Sequence, residues 1–173
     1  MKGKWSKFSQ YFKLREIPAK TILLAEGKIS KTMFFIEKGC LRTWVNNDGK
    51  EITTQFFFEG DSVSAIESFR TNKPSLYSIE SIEPCILQTL SQKDFQAIIK
   101  TSPELRKEIE EHLFNRLLQA QQLIYSYLKN NPKERYDELA EEHPEILQRV
   151  PQHYIASYLG ITSVSLSRIR NRR

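Results

Sequence analysis

Gln152 to Arg172 reads QHYIASYLGITSVSLSRIRNR, and the way this stretch folds decides the architecture of the whole chain. Ile155, Ala156 and Leu159 recur at helical spacing up to Gly160, where a residue without a Cβ turns the backbone at least cost. A second helix is expected at once, capped by Thr162 or Ser163. Val164, Leu166 and Ile169 form its apolar side, and Ser163, Ser165, Ser167, Arg168, Arg170 and Arg172 its exposed side. Two short helices across a glycine turn make a helix-turn-helix, whose second helix fits the major groove of duplex DNA.

A helical hairpin ending in a solvated arginine run is the plainer alternative, and the charge distribution argues against it. From Lys133 to Glu145 the acids Glu134, Asp137, Glu138, Glu141, Glu142 and Glu145 outnumber the bases Lys133 and Arg135, whereas beyond Glu145 there is no acid and there are five arginines. A phosphate-facing surface needs this segregation, because each neutralised phosphate releases a counterion and a nearby carboxylate would cancel the gain.

At 173 residues and 39% hydrophobic, the chain is long enough for one domain with a small appendage. No apolar run approaches the roughly 20 residues that cross a bilayer, and the start MKGKWSKFSQYF lacks the apolar core of a signal peptide. The expectation is a cytoplasmic protein with no membrane partner. Its 26 Lys and Arg against 21 Asp and Glu leave a formal charge of +5, a bias that matters because the excess sits at one end. Cys40 and Cys85 lie far apart with no C-x-x-C spacing, so reduced thiols are expected rather than a disulfide or a metal site.

Outward from the tail, Asn130-Asn131-Pro132 reads as a boundary, with Asn131 capping a helix from Pro132 to Glu142 and a short turn following between Pro144 and Pro151. Before it lies the longest helical pattern, in which Leu105, Ile109, Leu113, Leu117, Ala120, Ile124 and Leu128 repeat every three or four residues, widened by Phe114, Leu118, Leu123, Tyr125 and Tyr127. So wide a stripe suits a helix that lies across the rest of its own subunit, pairs with the same helix of a second chain, or does both. Leu105, Ile109, Leu113, Leu117, Ala120 and Ile124 are therefore the candidates for a homodimer contact.

Residues 4 to 16 suit a short amphipathic helix. From Ile17 the period falls to two, giving strands at Thr21 to Leu24, Met33 to Glu37, Leu41 to Val45, Glu51 to Phe58, Tyr77 to Ile82 and Cys85 to Leu90, with a hairpin at Asn47-Asp48-Gly49. Residues 62 to 75 read as an irregular excursion. Ser91 then caps a helix that carries Phe95, Ile98 and Ile99 on its apolar side. Many short strands without helices between them indicate an antiparallel barrel or jelly roll. The fold class is α+β: a β roll with flanking helices over 1–101, a long connecting helix over 102–130, and a helix-turn-helix unit over 131–173.

This order of parts, with MFFIEKGCLRTWVNNDGKEITTQFFFEGD (Met33 to Asp61) and RYDELAEEHPEILQRVPQHYIASYLGITSVSLSRIRNRR (Arg135 to Arg173), resembles the cyclic-AMP receptor and fumarate-nitrate regulator (Crp/Fnr) family of bacterial transcription factors. The resemblance implies a homodimer formed by the long helix, an effector sensed in the roll, and recognition helices in successive major grooves, with RNA polymerase as a further partner. It places Ser163, Val164 and Arg168 at base edges, Thr162 and Ser165 near phosphates, and Ser167, Arg170 and Arg172 on the same DNA-facing helix. Arg168 is the natural reader of guanine, since a guanidinium can donate to both O6 and N7.

The roll departs from the family's nucleotide binders. They use a Gly-Glu pair and, later, an arginine followed by a small polar residue. Here the corresponding stretches are Gly60-Asp61-Ser62-Val63-Ser64-Ala65 and Ser75-Leu76. Ser64, Ala65, Ser75 and Leu76 become the candidates for an effector pocket. Cyclic AMP is not expected in it, because a buried phosphate without a cation would be poorly compensated. No cofactor is expected either: residues 1–39 hold no cysteine for an iron-sulfur cluster, and His112, His143 and His153 all lie outside the roll. The same lack of histidine over 17–90 disfavours a metal-dependent jelly-roll enzyme. A roll that regulates a protein partner instead of DNA remains the other alternative.

Overall fold

The computed structural model describes residues 3–171. A 3-10 helix (Gly3–Tyr11) leads into eight strands: β1 (Lys13–Ile17), β2 (Ile22–Leu24), β3 (Thr32–Lys38), β4 (Leu41–Asn47), β5 (Lys50–Phe57), β6 (Ser62–Val63), β7 (Ser78–Ser81) and β8 (Cys85–Ser91). They form two antiparallel four-stranded sheets, ordered β1-β8-β3-β6 and β2-β7-β4-β5. The apolar members of each alternating strand meet in one core that includes Leu24, Phe34, Ile36, Leu41, Phe57, Ile79 and Leu87. The β4–β5 hairpin turns at Asp48 and Gly49, both at positive φ (51° and 82°), and the Asn46 side chain accepts from the Gly49 amide at 2.9 Å. Two positive angles in sequence are what a tight hairpin matching the strand twist requires.

Three local readings are corrected. The opening helix stops at Tyr11, and Lys13–Ile17 instead becomes β1 along β8. Only Ile17 of that strand is buried, so it carries no alternation for the sequence to display. Residues 62–75 are not irregular: β6 pairs with β3, and α1 (Ile66–Thr71) buries Ser68 and Phe69 before Asn72 ends it at φ 58°. A six-residue helix is too short to declare its period. Pro144 opens a helix, α5 (Pro144–Arg149), where a turn was expected, its fixed φ being suited to a first helical residue.

The remaining helices are α2 (Gln92–Thr101), α3 (Pro103–Lys129), α4 (Pro132–Glu142), α6 (Gln152–Tyr158) and α7 (Ser163–Asn171). Side-chain caps set their starts. Ser91 accepts from the Asp94 amide, Ser102 accepts from the Leu105 amide, and Asn131 forms a capping box with Glu134. Leu90, Ile98 and Leu105 make a second apolar cluster with Trp5, Phe12, Phe35 and Phe95. A third joins Cys40, Phe56 and Ile82 of the roll to Tyr136, Ile146, Tyr154, Leu159 and Leu166 of the helical end. The helix-turn-helix unit is thus docked on its own roll.

Candidate nucleic-acid interface and effector cavity

α6 ends at Tyr158, and Gly160, at a φ of +69°, makes the left-handed turn that leads into α7. Thr162 caps α7 by accepting from the Ser165 amide at 3.1 Å, and the two hydroxyls lie 3.0 Å apart. Leu166 is fully buried and anchors the helix, while Thr162, Ser163, Val164, Ser167, Arg168 and Arg170 are exposed and Ser165 is half-buried. No acid stands in the first turn of α7, and Arg168 and Arg170 occupy its last. Lys133, at the start of α4, borders a cleft of about 260 Å³ with Ser165, Arg168 and Ile169. The structure therefore brings the DNA-facing candidates onto one open, cationic face. Arg172 lies outside the described residues.

Arg149, one of the five tail arginines, does not join that face. Its guanidinium donates to both Glu59 carboxylate oxygens at 2.7 and 2.8 Å and also pairs with Glu83. The Arg149 bond holds the Glu59 carboxyl down to about 2, helped by the Gly39 amide. Nearby, Arg42 is fully buried; its Nε donates to Glu80 at 2.9 Å, it also pairs with Glu51, and its guanidinium stacks 3.8 Å from the centre of the Tyr154 ring on α6. Ser157 of α6 accepts from the Thr53 amide at 3.0 Å and donates to the Glu51 carbonyl at 2.9 Å. Both are backbone groups on the outer edge of β5. Periodicity cannot foresee the contacts of Arg149 and Ser157 with the roll, since the partners are 66 to 106 residues apart.

The cavity lies between the sheet ordered β1-β8-β3-β6, the end of β5, and α3. It encloses about 1210 Å³ and is lined by Phe57, Asp61, Ser64, Phe69, Tyr77, Phe95, Ile109, Leu113 and Arg116, among others. Ser64 borders it, its carbonyl accepting from the Tyr77 hydroxyl at 3.1 Å. The other three pocket candidates are placed elsewhere. Ala65 is in the roll core, buried Ser75 donates to the Tyr77 carbonyl at 2.7 Å, and Leu76 is 71% exposed. The sequence reading missed Arg116, half-buried in the wall: its Nη2 donates to Gln55 at 2.6 Å and its guanidinium lies 4.9 Å over the Phe57 ring. Burial weakens its hold on its proton, and nearby Asp61 partly restores it. The expectation that the pocket contains no cation is thus corrected. His112, also on α3, borders the same cavity. A residue outside the roll in sequence is not outside its cavity, because α3 lies across it. A charged residue interrupting the helical stripe between Leu113 and Ala120 was the available signal.

α3 sorts the dimerisation candidates. Leu105 is fully buried against Leu90 and Ile98 and serves its own subunit, so it is unavailable to a partner. Ile109 and Leu113 are half-buried at the cavity. Leu117 and Ile124 are 58% and 57% exposed and Ala120 is open, and with Phe114, Leu118, Tyr125 and Leu128 they form an exposed apolar stripe.

The profile of the cyclic nucleotide-binding domain matches residues 14–102. The cAMP-activated global transcriptional regulator CRP of Pasteurella multocida is 24% identical over 111 residues, which is 64% of this chain and 53% of that protein. The Pycsar effector protein XpPycTIR of Xanthomonas perforans is 29% identical over 111 residues, covering 64% of this chain and 35% of that one. The chain therefore spans about half the length, or less, of these curated relatives. Among solved structures, the c-di-GMP responsive global regulator CLP of Xanthomonas campestris superposes with a TM-score of 0.78 at 18% identity, over 96% of this chain and 88% of that one. CooA of Carboxydothermus hydrogenoformans does so with 0.75 at 18% identity, over 99% and 80%. The fold likeness runs on through the long helix into the helical end, and with residues 14–102 matched by the domain profile the chain belongs to the cyclic nucleotide-binding domain family.

Proposed function

We propose that the chain is a dimeric, site-specific DNA-binding regulator whose roll senses something other than cyclic AMP. The observation that carries this reading is α7: it fixes one side by burying Leu166 and offers Thr162, Ser163, Val164, Ser167, Arg168 and Arg170 to solvent without an acid among them. Arg168 reads a base edge, Thr162 and Ser165 lie along the backbone, and Lys133 adds a phosphate contact from α4. The exposed stripe of α3 pairs with its copy, so that two α7 helices enter major grooves about 34 Å apart. The protein works in the cytoplasm, with RNA polymerase as the protein it meets on DNA, and it catalyses no reaction.

The stretches Gly60 to Ala65 and Ser75-Leu76 lack, in register, the acid and the arginine with which nucleotide binders hold ribose and cyclic phosphate, Glu67 and Arg70 being off register, so cyclic AMP has no dedicated anchor in those stretches. Selection of bound sequences from a random duplex library, with and without cyclic AMP, tests both halves. A palindrome with half-sites one turn apart, recovered equally in both conditions, is the expected result. Recovery only with cyclic AMP overturns the sensor reading, and an affinity for the selected site that does not fall with salt overturns the DNA reading.

A further inference from the structure

We propose that the cavity between the roll and α3 takes a small amphipathic organic monoanion, a carboxylate on an apolar or aromatic body, whose charge is held by Arg116. The inference rests on the sensor reading of the roll and gives its ligand a chemical class.

The argument begins with a cation in an unusual position. Arg116 is half-buried, yet both of its described partners, Gln55 at 2.6 Å and the Phe57 ring at 4.9 Å, are uncharged. Among the described residues no carboxylate lies within ion-pair distance of it. Arg42 and Arg149, by contrast, are each paired with two glutamates. A guanidinium has five N–H donors in a planar fork, and Gln55 takes one. Removing such a group from water without an anionic partner is costly, and an arriving carboxylate supplies that partner in bidentate geometry.

Its surroundings set the charge and the body of the ligand. Asp61, whose Oδ2 accepts from the Phe58 amide at 2.9 Å, is close enough to Arg116 to favour its charged form. Part of the positive potential is thus already answered, which favours a monoanion over a dianion. Phe57 lies against Arg116, Phe69, Phe95, Ile109 and Leu113 line the same cavity, where Arg70, Lys100 and Arg106 are further cations, and its volume of about 1210 Å³ exceeds those typical of sites for drug-sized molecules. A half-buried guanidinium without a carboxylate partner, in a cavity that also offers these aromatic and aliphatic walls, matches an amphipathic acid, and the carboxylates elsewhere on the lining, Glu37, Glu59, Asp61, Glu108 and Glu110, disfavour a second negative charge. The charge sits on α3 while Gln55 and Phe57 belong to β5, so the bound anion ties the long helix to the roll. That is a route from ligand to the orientation of the helical end.

The test is calorimetric titration of the 173-residue chain, without DNA, with 4-phenylbutyrate and with its neutral counterpart 4-phenylbutanol, for the wild type, Arg116→Gln and Arg116→Lys. The wild type is expected to bind the carboxylate about tenfold or more tightly than the alcohol, the scale of one charge-assisted pair. Arg116→Gln loses that ratio while still binding the alcohol, and Arg116→Lys keeps part of it. A wild type with no preference for the carboxylate overturns the proposal, as does an Arg116→Gln protein that retains the preference. Should Arg116→Gln fail to fold, the wild-type ratio and its reduction in Arg116→Lys decide. Cyclic AMP displacing 4-phenylbutyrate at lower concentration than 4-phenylbutyrate itself binds would overturn the assignment to a carboxylate. Since no DNA is present, failure here leaves the DNA-binding reading intact, and failure of the library selection leaves this one intact.

Discussion

α3 and α7 are both amphipathic, and they dispose of their apolar sides in opposite ways. α7 buries Leu166 completely and leaves a polar, cationic side in water. α3 buries Leu105 at its start and then runs on with Phe114, Leu117, Leu118, Ile124, Tyr125 and Leu128 exposed. A helix whose apolar side is satisfied at home has its polar side free for a polyanion, whereas a helix with a bare apolar side lacks a partner of its own kind. The two exposed surfaces therefore call for different partners.

The largest effect should come from placing charge on the α3 stripe. Leu117→Glu with Ile124→Glu should weaken self-association by at least about 1,000-fold, roughly 4 kcal/mol if both positions are hot spots, while circular dichroism stays native. A sedimentation mass still dimeric at micromolar concentration would remove α3 from the interface. Leu166→Ala acts on the other helix and within one subunit: a loss of about 2 to 5 kcal/mol of folding stability is expected from the cavity it leaves, equal in the wild-type and charged-stripe backgrounds. A larger loss in the dimer would mean that the two helices are not independent. Arg168→Ala should leave the melting temperature unchanged and cost about 1 to 3 kcal/mol of affinity for the selected site, with relaxed choice at one base pair. If affinity falls equally for all sequences, Arg168 contacts phosphate instead.

The smallest effect concerns how the helical end is held. Glu59 has a folded-state value of about 2, below its ordinary 4.5, so its contribution is present above about pH 4.5 and lost as pH falls toward 2. Being partly exposed and screened by solvent, the pair with Arg149 is worth no more than about 1 kcal/mol. Glu59→Gln should flatten the acid side of the stability curve by that amount, and an unchanged curve would show that Glu83 alone suffices.

Most of the fold was legible because its signals are local. The alternation of Met33 to Phe58, the Asp48-Gly49 turn and the Ser91 and Asn131 caps are each set within a few residues, and each stands where the pattern put it. β1 was not legible, because four of its five residues are exposed and show no alternation. α1 and α5, at six residues each, are shorter than the window in which a helical period can be counted. The α7 face was legible for the same local reason. The cavity was not: Ser64 was found, but Arg116 and His112 reach it from α3, and Arg149 reaches Glu59 across ninety positions. Contacts between distant segments follow from how helices lie on the roll, and linear spacing does not encode that.

The paired bonds of Ser157 carry a further consequence. β5 is the outermost strand of its sheet, and an outermost strand with free amides and carbonyls can recruit a strand from another molecule. By occupying the Thr53 amide and the Glu51 carbonyl together, one hydroxyl keeps that margin closed to strand addition. Any swing of the helical end away from the roll opens it again, so the form released for movement is also the form most open to strand-by-strand aggregation.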